Sequence, residues 1–184
     1  NEESRRERVE LEQNVLDENG NLELAVDLSP AQGKRSPYTV RTTLSLLESG
    51  GRPVVRNFER VIWPVPVLVG VRPLFTGDYA REGSVAQFEV IRANADGQLH
   101  AGKGLPVRLF RENRDYYWRF DDQRGWHSGF TETDELVDTA SVSIPDGGRG
   151  KLGLPVKYGR YRLEITDSET GQTSKYRFYA GWRA

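Results

Sequence analysis

From Leu22 onward the chain alternates apolar and polar residues in short stretches. Leu22, Leu24, Val26 and Leu28 interleave with Glu23, Ala25 and Asp27, and Tyr38, Val40, Thr42, Leu44 and Leu46 alternate with their neighbours in the same way. A period of two is the mark of a strand with one face toward water. Between these stretches lie Asp17-Glu18-Asn19-Gly20-Asn21, Glu48-Ser49-Gly50-Gly51, Asn94-Ala95-Asp96-Gly97, Asp146-Gly147-Gly148 and Asp167-Ser168-Glu169-Thr170-Gly171. Glycine reaches positive φ without a Cβ penalty, and Asn and Asp tolerate it, so the clusters predict hairpin turns. Strands are expected near 14–16, 21–28, 38–48 and 52–63, then near 67–73, 84–93, 105–113, 116–120, 126–131, 136–144, 149–155, 159–167 and 173–180. The predicted class is all-β, and function is to be sought on surfaces rather than in a catalytic cleft.

Trp63-Pro64-Val65-Pro66-Val67-Leu68-Val69-Gly70-Val71-Arg72-Pro73 interrupts the series. Proline fixes φ and removes a ladder donor, so this segment is expected to be a stiff junction between two sandwiches. The boundary falls near Pro66, giving domains 1–66 and 67–184. The second half, with seven or more short strands separated by turns, has the pattern of an immunoglobulin-like sandwich. The first shows only four strands and is expected to lack its leading ones. Gly51-Arg52-Pro53-Val54-Val55 and the stretch from Gly97 to Leu105-Pro106-Val107 share a loose plan, as stacked domains of one type would. The charged opening, Asn1 to Gln13, reads as a solvated lead-in.

Composition narrows the functions available. An apolar fraction of 36% in 184 residues suits two thin cores better than one large one. The net charge of -1, from 26 basic and 27 acidic residues, creates no general field for nucleic acid or an anionic membrane. No apolar run approaches the roughly 18 residues of a membrane-spanning helix, so membrane attachment would need an anchor outside this sequence. With no cysteine, disulfides, thiolate metal sites and thiol nucleophiles are excluded. The sequence has no methionine and begins at Asn1, so it is expected to be a piece of something larger.

Candidate chemistry is sparse. His100 and His127 stand in no ligand or triad spacing and are expected at the surface or in turns. Asp17 to Asn21 has the flavour of a calcium loop, but Leu22 and Leu28 occupy the positions where an EF-hand has Gly and Glu. Gly147-Gly148-Arg149-Gly150-Lys151 resembles a phosphate cradle in composition alone, and a turn explains it. Tyr116-Tyr117-Trp118-Arg119-Phe120 and Trp126, with Arg111 and Arg114 nearby, have the makings of a stacking platform for single strands or sugar. The structural expectation is instead that one face of this strand is core, leaving Tyr117 on the other face as the residue to inspect for binding. No catalytic, cofactor-binding or metal residue is assigned.

The second half resembles the macroglobulin-like domains of bacterial α2-macroglobulins. The resemblance is carried by Val69-Gly70-Val71-Arg72-Pro73, by Arg111-Glu112-Asn113-Arg114-Asp115-Tyr116-Tyr117-Trp118, and by the closing Gly159-Arg160-Tyr161-Arg162-Leu163-Glu164-Ile165 with Tyr179-Ala180-Gly181-Trp182. The first half is similar to the later strands of a preceding domain, through Leu16-Asp17, Gly20, Leu22 to Leu28 and Ser49-Gly50-Gly51-Arg52-Pro53-Val54. Together these cover nearly the whole chain, and the order of the elements carries more weight than any one of them.

The resemblance implies a fold of tandem immunoglobulin-like, fibronectin-like β-sandwiches. It also implies a scaffold segment of a cell-envelope or periplasmic protein that inhibits proteases by entrapment after they cut a bait segment. Many family members tether the attacker through a thioester formed in a Cys-Leu-Glu-Gln motif. Glu10-Leu11-Glu12-Gln13 has Glu in place of the Cys, so this chain cannot form that bond. The partners implied are neighbouring domains of the same polypeptide, target proteases through the whole protein, and other envelope proteins, with no nucleic acid and no cofactor. Trp63 to Pro73 and Trp182 are expected at interdomain junctions. The alternative is an envelope binding or adhesion module, or a protein-complex scaffold, without protease trapping; solvent exposure of the Tyr116 to Phe120 cluster would favour it. An enzyme would require a concave site with convergent titratable groups, and none is expected.

Overall fold

The alternation at Tyr38–Leu46 and Val54–Ile62 produces β1 and β2, which pair antiparallel from Tyr38 opposite Ile62 to Leu46 opposite Val54. The computed structural model describes residues 7–28, 33–47 and 50–182. It divides into two compact units, Asn1–Gly33 and Lys34–Ala184.

In the first unit the turn forms as predicted. The Asp17 carboxylate accepts the Asn19 and Asn21 amides at 2.9 and 2.7 Å, and the Gly20 amide reaches the Asp17 carbonyl at 2.9 Å. The strands expected on either side of it, 14–16 and 21–28, do not form. Alternation supplies a face but not a ladder, and these residues belong to none of the sheets formed by the described strands. Leu22, Val26 and Leu28 accordingly remain exposed.

In the second unit β1 and β2 form a two-stranded sheet of their own. Eight further strands build a sandwich: β3 (Leu68–Pro73), β4 (Tyr79–Arg81), β5 (Val85–Ala93), β6 (Gly102–Asp121), β7 (Gly125–Ile144), β8 (Gly150–Pro155), β9 (Gly159–Thr166) and β10 (Thr173–Gly181). One sheet runs β4-β10-β9-β6-β7 and the other β3-β5-β8. All neighbours are antiparallel except β4 and β10, which are parallel. Inward positions recur every second residue, as in Ala86, Phe88 and Val90 of β5 or Leu105, Val107 and Leu109 of β6, and they meet Leu152, Leu154, Leu163, Ile165 and Phe178 in one core.

Every buried residue among those described lies at Val67 or beyond. Within segment 1–66 no described residue is buried, and the two-stranded ribbon of β1 and β2 supplies at most one layer. Half of the expected Trp63 to Pro73 junction is also structural: β3 begins at Leu68, buries Val69 and pairs with β5. Pro73, which has no amide to donate, stands at the end of β3, and the ladder resumes from the Leu74 amide to the Gln87 carbonyl at 2.8 Å.

Candidate functional site

Two pairs of predicted short strands are each one long strand. Residues 105–113 and 116–120 lie in the 20-residue β6, and 126–131 and 136–144 lie in the 20-residue β7. The breaks expected between them fall at Arg114-Asp115 and Glu132-Thr133-Asp134-Glu135, whose residues are polar like those of loops. In the structure both stretches continue the ladder, and Arg114 lies opposite Glu132 and binds it at 2.6 Å. β6 pairs with β9 only through Val107–Glu112, so the stretch from Asn113 to Thr133 continues beyond the sandwich as a two-stranded arm. At its tip Asp121 accepts the Gln123 and Arg124 amides at 2.9 and 2.7 Å, and Gly125 takes φ 69°, the left-handed residue that closes a three-residue hairpin loop.

A bulge marks where β6 and β7 change surroundings. Leu109 faces Asp138 and Phe110 faces Leu136, so Val137 is extra on β7. Such a bulge bends and twists the ribbon locally. On the sandwich side of it Leu105, Val107 and Leu109 are buried; beyond Asn113 neither side of the arm is covered.

The side of the pleat that looks outward from the five-stranded sheet carries the unusual chemistry. Nearest the sandwich, Arg162 binds Glu112 at 2.8 Å, Asp134 at 2.7 Å and Glu164 at 3.0 Å, while Arg108 binds Glu164 and Arg177 binds Glu112, each at 2.9 Å. The Arg108 and Arg162 guanidinium groups lie 5.4 and 4.9 Å from the centre of the Phe110 ring. Burial pushes the Glu112 carboxyl up, but hydrogen bonds from Arg177 and Arg162 reverse this and leave its pKa lowered. Farther along the same face come Tyr116 opposite Phe130, Trp118 opposite Ser128 and Phe120 opposite Trp126. The first and last of these pairs have ring centres 5.9 and 5.5 Å apart, and Arg114 sits 4.8 Å from the Phe130 ring.

These five aromatic side chains are 49–71% exposed. The expectation that one face of this strand is core is therefore wrong: the arm has no second layer to bury either face. Tyr117 lies on the other side of the strand and is 47% exposed, and an added Cβ at Gly129 would come within 2.7 Å of its ring. A tyrosine laid over a cross-strand glycine supports the ribbon, which is a structural explanation for Tyr117.

The other sequence candidates do not converge. His100 is half-buried just past the Asn94–Gly97 turn, with its amide donating to the Arg92 carbonyl at 2.7 Å and its Nε2 enclosed without a partner. His127 is half-buried on the arm, 3.3 Å from the Gly125 carbonyl. Gly147 and Gly148 form the β7–β8 turn, closed by the Gly148 amide on the Pro145 carbonyl at 3.1 Å. Glu10 to Gln13 lie exposed without regular structure. Among the described residues no three His, Asp or Glu side chains are grouped to hold a metal, and no helix is long and apolar enough to cross a membrane. A shallow depression of about 450 Å³, lined by Ala101, Gly102, Lys103, Ser143, Ile144, Pro145 and Glu169, brings together only Lys103 and Glu169 as titratable groups.

Comparison with known proteins places this geometry in a family. Residues 70–182 match the model for bacterial macroglobulin domain 6, and residues 1–64 match that for the bacterial α2-macroglobulin MG5 domain. An α2-macroglobulin of Xylella fastidiosa is 47% identical over 148 residues, covering 80% of this chain and 9% of the relative. The native conformation of Escherichia coli α2-macroglobulin, solved by cryo-electron microscopy, superposes with a TM-score of 0.76 at 37% identity, covering 92% of this chain and 12% of that one. The trypsin-activated α2-macroglobulin of E. coli superposes with a TM-score of 0.69 at 31% identity, covering 91% and 11%. This chain spans about a tenth of the length of the curated relatives it matches. It belongs to the bacterial α2-macroglobulin family and corresponds to macroglobulin-domain sequence within it.

Proposed function

We propose that this chain is part of the wall of a protease trap. In this reading the whole polypeptide resides in the periplasm or cell envelope and inhibits endopeptidases by enclosing them, and these residues supply scaffold rather than chemistry. The observation that carries the proposal is the match of residues 70–182 to a macroglobulin domain across a fully packed eight-stranded sandwich. The E. coli relative known in a trypsin-activated form supports an encounter with proteases. We further place the domain boundary between Pro66 and Val67. On this division β1 and β2 belong to the preceding domain, and their apolar residues Tyr38, Val40, Leu44, Phe58 and Ile62, which share one side of the ribbon, pack on strands of that domain. Trp182, 89% exposed, then belongs to the next junction.

The test uses the full-length protein and an endopeptidase, following cleavage of a small chromogenic peptide and of a large protein substrate in parallel. Loss of activity on the large substrate alone is expected, because an enclosed protease still admits small peptides. Equal activity on both would remove the trapping function and favour an envelope binding or scaffold module. One observation does favour that second reading, namely the exposed aromatic side of the arm.

A further inference from the structure

The arm ends in an aromatic surface that the sandwich does not need. Tyr116, Trp118, Phe120, Trp126 and Phe130 bury little against one another and face away from the core, and together they leave on the order of 600 Å² of ring surface in water. That exceeds or equals the largest apolar patch of an ordinary monomer, roughly 300–600 Å². It also approaches the ~800 Å² that each partner contributes to a stable protein interface. Rings of this kind, clustered and bordered by polar groups, have the composition of an interface centre.

Charge selects the occupant. From Asn113 to Thr133 the arm carries three Arg against three Asp and one Glu. Of the arginines, Arg114 is committed to Glu132 at 2.6 Å. At the base of the arm Arg162 and Arg177 are committed to Glu112, with Arg162 also held by Asp134 and Glu164. A nucleic acid needs cations that can exchange counterions for phosphates, and this face offers its cations already neutralised. A near-neutral apolar protein surface meets no such conflict. In the relatives about nine-tenths of the polypeptide lies outside the stretch that this chain matches, so other domains are tethered near the arm at high effective concentration.

We propose that the aromatic side of the arm docks on an apolar, near-neutral face of another domain of the same polypeptide, so that the β6–β7 hairpin is an intramolecular clasp. Trp118 sits at its centre, between the Tyr116–Phe130 and Phe120–Trp126 pairs, and the Arg162 network extends the contact as its polar border. The proposal rests on the reading of this chain as one segment of a larger macroglobulin scaffold.

Two measurements on the full-length protein test it. Oxidative footprinting compares Trp118 and Trp126 with a free tryptophan derivative over a range of protein concentrations. Docking predicts oxidation about tenfold or more slower than the free derivative, unchanged on dilution, because water is excluded from an occupied interface centre. Oxidation at the free rate would overturn the proposal and leave an open platform of the kind sugars use; protection lost on dilution would overturn it in favour of a second copy or a separate protein. A photo-cross-linking residue at Ser128, which is exposed between the rings, is expected to give a cross-link within one polypeptide to residues beyond this segment. Cross-links between polypeptides would count against the clasp. The peptide and protein cleavage assay on the same preparation keeps the two readings separate, since a trap can function with an undocked arm and a docked arm can exist in a protein that traps nothing.

Discussion

Arg92 sits where the pattern of β5 calls for an apolar residue. Ala86, Phe88 and Val90 precede it on the inward side, and Arg92 is itself only 7% exposed. Its Nε donates to Asp167 at 2.8 Å and its Nη1 to the Ala101 carbonyl at 2.9 Å, with Glu169 as a further partner. Asp167 also accepts the Glu169 amide at 3.0 Å, so one carboxylate both shapes the β9–β10 turn and neutralises the arginine. Removing one member of such a pair leaves a buried charge, and Arg92→Ala is expected to cost about 3–5 kcal/mol in urea denaturation. Burial pushes the Asp167 carboxyl up, but Arg92 and the Glu169 amide more than offset it and lower its pKa, as Arg177 and Arg162 do for Glu112. A carboxyl lowered in the folded state stabilises the fold at pH above its ordinary value and loses that contribution as pH falls through the folded value. The urea midpoint is therefore expected to be flat from about pH 5 to 8 and to fall in acid below about pH 4. The acid loss should be smaller in Arg92→Ala, and an equal loss in both proteins would show that this pair is not responsible.

At the scale of elements, the arm separates pairing from packing. A strand is held to its neighbour by backbone hydrogen bonds, whereas a sandwich also needs a second layer. The arm has the first without the second, and its stability comes from cross-strand contacts such as Arg114 with Glu132 and Tyr116 with Phe130. The core residues of β6 and β7 all lie on the sandwich side of the bulge at Val137. Replacing Asn113 to Thr133 by an Asn-Gly turn, which joins the paired Glu112 and Asp134, is thus expected to change the stability of the sandwich by less than about 1 kcal/mol. A loss of several kcal/mol in equilibrium unfolding would show that the arm is part of the core after all. The strand expected at 21–28 illustrates the reverse case, with the right alternation and no place in a described sheet.

Among the described residues, burial begins at Val67 and the core cluster ends at Ala180. On the proposed boundary, residues 67–184 carry a complete folding unit. Produced alone, that fragment is expected to unfold in a single calorimetric transition with equal calorimetric and van't Hoff enthalpies. Failure to fold, or two transitions, would move the boundary.

The sequence by itself determined the class, the family and most of the local geometry. Turns at Asp17, Asn94, Asp146 and Asp167 form where Gly, Asn and Asp cluster, because the φ values they need are set by the residues themselves. Strands β3, β5, β8, β9 and β10 lie close to their predicted places, because their alternation matches a face that is in fact covered. The breaks expected within β6 and β7 are absent for the same physical reason that Tyr116, Trp118 and Phe120 are exposed rather than in a core. Period two says which side chains share a face, and it carries no information on whether another layer lies over that face. That is decided by distant pairing: β9 stops accompanying β6 after Glu112, and from there polar residues can stay in a strand and aromatic ones stay in water. Tertiary structure alone also turned Arg92 inward, since the carboxylate that makes this tolerable arrives from a turn 75 residues away.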